Sequence, residues 1–364
     1  MSRTAGMAID PESRINELMS AYQGAVPGAG LVVLRDGVSI VRRSYGLSDV
    51  EQGIAAVTAT SYRLASMTKQ FTAAAILLLA EDGRLSIDDP IRRWLPTLPE
   101  AADGMVIRHL LTHRSGILDY EELIPQGTST QVRDAGALAL LETQNRSYFA
   151  AGTSYRYSNS GYVLLSLIVS RASGMDFASF LRERIFLPLG MVGTIAFVAG
   201  VSELTHRAFG YSLEGNSWVR TDQSLTSATL GDGGIYSSID DLAKWDAALG
   251  DERLLRAASL RQAFGAATPT DDPAVQYGFG WRVTGDTLWH TGETIGFQNV
   301  ILRYAAHSLT VILLTNRNDP APYPKALAIA GLFLTTAAQP PAVHPYAGPD
   351  PGLRPLPQGC RGRQ

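Results

Sequence analysis

In "RLASMTKQFTAAAILLLAEDG", Arg63 to Gly83, a lysine stands three residues after a serine, where a helix opens into an apolar run. The chain has 31 basic residues, yet only Lys69, Lys244 and Lys325 are lysines. Arginine keeps its proton in a protein, whereas burial or neighbouring charge can make a lysine release it. Positions i and i+3 share a helix face, so the Ser66 hydroxyl and the Lys69 amine can meet. A serine at a helix start also lies where free N–H groups and the positive dipole end favour developing negative charge. The pair can therefore supply a nucleophile and its base. It can equally be a helix cap and a snorkelling surface lysine, and Ser-x-x-Lys alone does not choose.

Two further stretches bear on that choice. "SYRYSNSGYVLL" sets Tyr157, Ser158 and Asn159 in a polar turn before an apolar helix. A tyrosine there can pass protons and an asparagine can hold a substrate amide or a lysine, while a cap by Ser158, Asn159 or Ser160 is the plainer use. "LWHTGETIGF" ends a strand with His290, Thr291 and Gly292. The glycine admits a ligand close to the backbone and the imidazole offers near-neutral polar chemistry.

Other signals are weaker. His109 and His113 have the i, i+4 spacing of metal ligands, but the glutamate of a zinc peptidase and a third ligand are missing. No metal and no cofactor are expected. "GDGGIYSS", Gly231 to Ser238, lacks the lysine and spacing of a phosphate loop and reads as a wall of the cleft. Asp119 and Tyr120, after Gly116, can touch substrate or simply turn the chain. Trp281 and Phe297 can line an acyl pocket, though large apolar strand residues are more often core.

The elements that position these residues fall into a pattern. After a helix at about Ser13 to Tyr22, "GLVVLRDGVSIVRRSYG" predicts two strands joined at Asp36-Gly37. From Thr68 to Leu249 helical periods dominate, as in "VRDAGALALLETQ" and "SIDDLAKWDAAL". Strand patterns return in "YGFGWRVTG", "GFQNVILRYAA" and "SLTVILLTN", followed by a helix around Pro324 to Ala337. This predicts an α+β chain, its sheet domain made by residues 1–65 and 250–338 and a mainly helical domain, 66–249, inserted between them. A cleft between the two is the expected place for a site. The segment 339–364 is rich in proline and glycine and is expected to be disordered.

Composition narrows the class. With 364 residues, 45% of them hydrophobic and 18% charged, the chain can bury a large core. A net charge of −3 without like-charged blocks gives no footprint for nucleic acid. The polar N-terminus lacks a signal-peptide core, and the run "FTAAAILLLA" is too short to span a bilayer, so a soluble, cytoplasmic protein is expected. The single cysteine, Cys360, excludes an intramolecular disulfide and a cysteine-based metal site.

In order and spacing, Ser66-Met-Thr-Lys69, Tyr157-Ser-Asn159 and His290-Thr-Gly292 resemble three motifs of one enzyme family. These are the Ser-x-x-Lys, Tyr-x-Asn and Lys-Thr-Gly or His-Thr-Gly motifs of serine hydrolases related to class C β-lactamases, D-alanyl-D-alanine carboxypeptidases and esterases of that fold. The likeness continues through "RLSIDDPIRRWLP", "VIRHLLTHRSGILDY" and "LGDGGIYSSIDDLAKW", from about Ala25 to Asn316. It implies the β-lactamase/transpeptidase-like fold, an antiparallel sheet flanked by helices plus an inserted mainly helical domain. By the same resemblance Ser66 is acylated, Lys69 and Tyr157 share the base and acid roles, and Asn159 holds the substrate amide or orients Lys69. The backbone N–H groups of Ser66 and Glu293 then hold the oxyanion, beside His290, Thr291 and Gly292. Arg282 resembles the arginine with which some of these carboxypeptidases grip a terminal carboxylate.

The expected function is hydrolysis of a carboxylic ester or small amide through acyl-Ser66, esterase-like, on a small-molecule or short-peptide substrate. The alternative is a D-alanyl-D-alanine carboxypeptidase or D-amino-acid peptidase, a weak β-lactamase at most, because His290 replaces the permanently charged lysine. A non-enzymatic alternative is a penicillin-binding sensor that deacylates slowly.

Overall fold

The structure, a computed structural model, describes residues 10–265 and 267–334. The expected tail 339–364, with Cys360, and the last residues of the final predicted helix lie outside them. Eight strands, numbered along the chain, form the main sheet: β1 (Ala29–Arg35), β2 (Val38–Tyr45), β3 (Thr268–Pro269), β4 (Gln276–Tyr277), β5 (Arg282–Thr284), β6 (Thr287–Thr294), β7 (Phe297–Tyr304) and β8 (Leu309–Thr315). Their order is β3-β4-β5-β6-β7-β8-β1-β2, antiparallel throughout. The Asp36-Gly37 turn joins β1 to β2 with φ angles of 51° and 74°. Two left-handed residues give a turn whose twist matches that of the flanking strands.

Five helices position the site and cover the sheet: α1 (Pro11–Leu18), α2 (Lys69–Glu81), α3 (Asn159–Ser173), α4 (Ile239–Ala248) and α5 (Pro322–Gly331). Side chains alternate across a strand, so the apolar runs of β1, β7 and β8 feed two cores. Val32, Leu34, Ile301, Ile312 and Leu314 enter the core shared with the helical body. Leu31, Val33, Val300, Leu302, Val311 and Leu313 pack with Ile15 of α1 and Ala326 and Ile329 of α5. The two ends of the chain thus cover one sheet face, and the helical stretch covers the other.

Helix α2 is buried from Lys69 through Leu79. A helix apolar almost all round belongs inside the protein, and α2 packs against α3 there. Trp245 of α4 locks this helix to the sheet side: its ring lies 4.3 Å from that of Phe71, and its indole N–H donates to Gln70 Oε1 at 3.0 Å. Trp245→Ala is expected to lower the unfolding free energy by about 3–5 kcal/mol in urea denaturation, from lost burial and the cavity left behind. Among the described residues no single helix is long and apolar enough to cross a membrane.

Candidate active site

Ser66 is delivered by a short paired segment. Tyr62–Arg63 pairs with Tyr236 and Ser237, and Leu64 N–H donates to Ile235 O at 2.8 Å. The sequence reading begins a helix at Ser66; instead Ser66 lies in a 3₁₀ turn, Ala65–Thr68, and α2 starts at Lys69. That difference helps the chemistry, because three residues per turn stack i over i+3. Lys69 Nζ therefore stands 3.1 Å from Ser66 Oγ. Ala65, the residue before the serine, has φ of 49°, a left-handed conformation costly for a side chain bearing Cβ. Neither end of the 3₁₀ turn has a side-chain cap, so Ser66 is not used as one.

Lys69 is fully buried, and its Nζ also donates to Asn159 Oδ1 at 2.9 Å and to Asp232 O at 3.0 Å. Asn159 opens α3, whose N-terminus is capped by Ser158, which accepts from Gly161 N–H at 3.1 Å. The cap and the contact to the lysine are thus made by adjacent residues. Tyr157, just before the cap, turns its ring to Lys69, with Nζ 4.8 Å from the ring centroid. The ring of His113 stacks on it at 4.3 Å, and His113 Nδ1 accepts from Ser158 N–H at 3.0 Å. His109 serves another end, its Nδ1 accepting from Val106 N–H at 3.3 Å. The two histidines therefore do not face a common ion.

Strand β6 forms the opposite wall. β5 pairs only with Thr287 to Trp289, so beyond that point no strand covers this edge of β6 among the described residues, and the Ser66 turn packs there instead. Gly292 makes the approach possible: a Cβ on it would lie 2.0 Å from Leu64 O. Asn299 on β7 fixes the same segment by donating to Arg63 O at 2.8 Å. Gly292→Ala must push β6 away from the serine turn. It is expected to lower turnover of any Ser66 substrate about 100-fold, since displacements near 1 Å cost that much, and steady-state kinetics will read it.

The sequence reading offers His290 to a substrate, and the structure engages both of its ring nitrogens within the protein. Nδ1 lies 2.5 Å from Thr291 O and Nε2 3.0 Å from Tyr277 O–H. Burial, then the Arg282 charge, holds its pKa well below the usual imidazole range, so it is neutral. A neutral ring that donates from Nδ1 accepts the Tyr277 proton at Nε2. The fixed positive charge on this side is Arg282, whose guanidinium carbon lies 5.6 Å from the Tyr157 ring centroid. Trp281 and Phe297 are 2% and 0% exposed, core residues rather than pocket lining.

Behind Lys69 lies an acidic group that the sequence reading only brushed. Asn159 Nδ2 donates to Glu121 Oε1 at 3.2 Å. Burial, then the charges of Asp119 and Asp232, pushes the Glu121 carboxyl up to about 8. Burial also lifts Asp119 to about 6. The unfolded Glu121 carboxyl has a pKa of about 4.3, so the folded state binds the proton more tightly and loses stability as pH climbs from there to about 8. Glu121→Gln removes that ionisation. Its melting temperature is expected to rise relative to the unmodified protein between about pH 5 and pH 9, checked by thermal scans across pH.

The fold thus brings Ser66, Lys69, Tyr157, Asn159, Gly292 and Arg282 together, with His290 buried beside Tyr157 at 6.4 Å between ring centroids. Sequence reasoning missed Glu121, Asp232 and Tyr277, and weighed His113 only as a metal ligand. Asp232 sat in the glycine-rich segment and Glu121 beside Asp119 and Tyr120, so proximity to noted segments was the one signal available.

Comparisons with known proteins place this geometry. A Beta-lactamase family model matches residues 11–335. The chain is 32% identical to "Penicillin-binding protein 4*" of Bacillus subtilis (strain 168), over 82% of this chain and 70% of that one. It is 29% identical to "D-aminopeptidase" of Gluconobacter oxydans (strain 621H), over 88% of this chain and 61% of that one. The chain therefore spans less than two thirds of that aminopeptidase. The structure of D-amino acid amidase from Ochrobactrum anthropi SV3, complexed with L-phenylalanine amide, superposes with a TM-score of 0.75 at 26% identity, covering 89% of this chain and 99% of the other.

Proposed function

This chain belongs to the beta-lactamase family of serine hydrolases, and on that premise we propose that it hydrolyses a small amide, short peptide or ester through an acyl-Ser66 intermediate. The observation that carries the reading is the contact of a fully buried lysine with the serine hydroxyl, Lys69 Nζ to Ser66 Oγ at 3.1 Å. The D-aminopeptidase and D-amino acid amidase relatives favour amide or peptide substrates over the esterase preference expected from sequence.

The chemistry runs in two balanced halves. Lys69 in its amine form takes the Ser66 proton as Oγ attacks the carbonyl carbon, and the carbonyl oxygen becomes an oxyanion held by the N–H groups of Ser66 and Glu293. The Tyr157 hydroxyl gives a proton to the leaving amine or alkoxide and takes one from the Lys69 ammonium, and the carbonyl reforms as acyl-Ser66. A water loses its proton to the same pair, adds to the acyl carbon and releases the acid, returning the proton to Ser66. Asn159 keeps Lys69 aimed by accepting from Nζ at 2.9 Å. His290 and His113 position Tyr157 by packing rather than by touching substrate. A neutral His290 leaves Arg282 as the charge for an anionic group, which suits a terminal carboxylate and disfavours strong β-lactamase turnover.

Intact-protein mass spectrometry after brief exposure to p-nitrophenyl acetate and, separately, to a penicillin, with product release followed in parallel, tests the reading. A transient acetyl adduct on Ser66 with continuing release is expected. A penicillin adduct that persists for hours without release of hydrolysed product would turn the reading into that of an acylated sensor.

A further inference from the structure

We infer that Asp134 and Thr72 are positioning residues for the base. From opposite sides they fix the backbone at Leu230 and Gly231, and so hold the next carbonyl, Asp232 O, where it aims the lone pair of Lys69 at Ser66. The inference rests on Lys69 being the group that takes the Ser66 proton. An ammonium has three donors and no acceptor, so the amine form has two N–H groups and one lone pair. Asn159 Oδ1 at 2.9 Å and Asp232 O at 3.0 Å take the two N–H groups, which leaves the lone pair for Ser66 Oγ at 3.1 Å. Asn159 is set by the start of α3. Asp232 O belongs to a glycine-rich turn, which needs supports of its own.

Those supports are present on every side. Asp134 opens the helix Asp134–Glu142 and is buried. Its Oδ2 accepts from Leu230 N–H at 2.9 Å, and its Oδ1 accepts from Gly231 N–H at 3.2 Å and from Ser166 Oγ of α3 at 2.7 Å. Among the described residues Asp134 has no ion-pair partner, so these three donors are what its charge serves. An amide in its place would set an N–H₂ group against a backbone donor. From the other side Thr72, fully buried on α2 three residues after Lys69, donates its hydroxyl to Gly231 O at 2.6 Å. The fit is tight: a Cβ on Gly231 would lie 2.3 Å from Tyr162 O and 2.7 Å from Ser166 Cβ, which leaves the chain no room to slide along α3. The far end of the turn is tied to the serine segment, Arg63 Nε donating to Gly233 O at 3.2 Å and Ile235 N–H to Thr68 Oγ1 at 3.2 Å. Arg63, Thr68 and Thr72 belong to the stretch that carries Ser66 and Lys69, so the acceptor is held in register with the nucleophile and its base.

The test sets Thr72→Val against Thr72→Ser on the full chain, since valine lacks the hydroxyl donor and serine keeps it. Acylation of Ser66 by p-nitrophenyl acetate is followed by stopped flow over a range of ester concentrations. Thr72→Val is expected to lower the limiting rate about tenfold with the half-saturating concentration held within about twofold, and Thr72→Ser to return the rate to within about threefold of the unmodified protein. Asp134→Asn should show the same split between rate and binding. A limiting rate unchanged in Thr72→Val, or lowered equally in Thr72→Ser, overturns the inference. Because the chain has only three lysines, labelling lysine with carbon-13 at Cε gives an NMR readout that needs no turnover. Asp232 O favours the ammonium form, so loosening it is expected to lower the titration midpoint of Lys69 in Thr72→Val while those of Lys244 and Lys325 stay in place. An unmoved Lys69 midpoint also overturns the inference. Absence of a Ser66 adduct in the unmodified protein refutes the hydrolase reading, and the lysine titration then decides the clamp by itself.

Discussion

Ser66→Ala is expected to abolish turnover of esters and amides, by about 10⁵-fold or more, while leaving the protein folded. The hydroxyl is the atom that would carry the acyl group, and without it the adduct has no place to form. The fold has little stake in it, because Ser66 caps nothing and its side chain meets Lys69, which keeps Asn159 Oδ1 and Asp232 O as acceptors. The melting temperature should therefore shift by less than about 2 °C, within the range of a substitution that opens no cavity. Loss of turnover with no adduct in the variant supports the mechanism. An acyl adduct or undiminished hydrolysis in Ser66→Ala would overturn it.

Lys69→Met should separate the base from the nucleophile. The substitution keeps an unbranched buried chain of similar volume and removes the amine. Ser66 remains, so acylation is expected to persist at a rate lowered about 10³-fold, the usual worth of a positioned general base. The measurement is the rate of adduct growth by quenched-flow mass spectrometry, with the adduct still mapping to Ser66. An unchanged acylation rate would assign the proton to another group, Tyr157 first, since its ring is the nearer of the two tyrosine rings beside the same Nζ. Asn159 Oδ1 and Asp232 O lose a donor in this variant, and buried acceptors left unmade cost about 1–3 kcal/mol each, so a lower midpoint in urea is expected alongside the kinetic effect.

Both predictions concern residues that could be singled out from the sequence, and the reason is local. Ser66 and Lys69 are three apart on one turn, Tyr157 and Asn159 flank one cap, and His290 to Gly292 lie on one strand, so each motif is readable within a few residues. The order of strands and helices was readable for the same reason: period-two alternation in β1, β7 and β8, the Asp36-Gly37 turn, and an apolar run for α2 report short-range physics. Where the reading slipped, long-range packing had intervened. The helix begins at Lys69 rather than Ser66 because the serine turn is held between Ile235, Asn299 and the edge of β6, contacts that no local propensity encodes.

The sequence by itself determined which chemical groups are available and the elements that carry them, because hydrogen-bonded turns, caps and faces depend on neighbours along the chain. Only the tertiary structure decided which groups meet. Asp232 lies 163 residues from Lys69 and Asn159 lies 90, yet both meet its one buried Nζ. The neutral state of His290 and the raised carboxyl of Glu121 are decided there too, since burial and through-space charge set them and neither is a property of chain order.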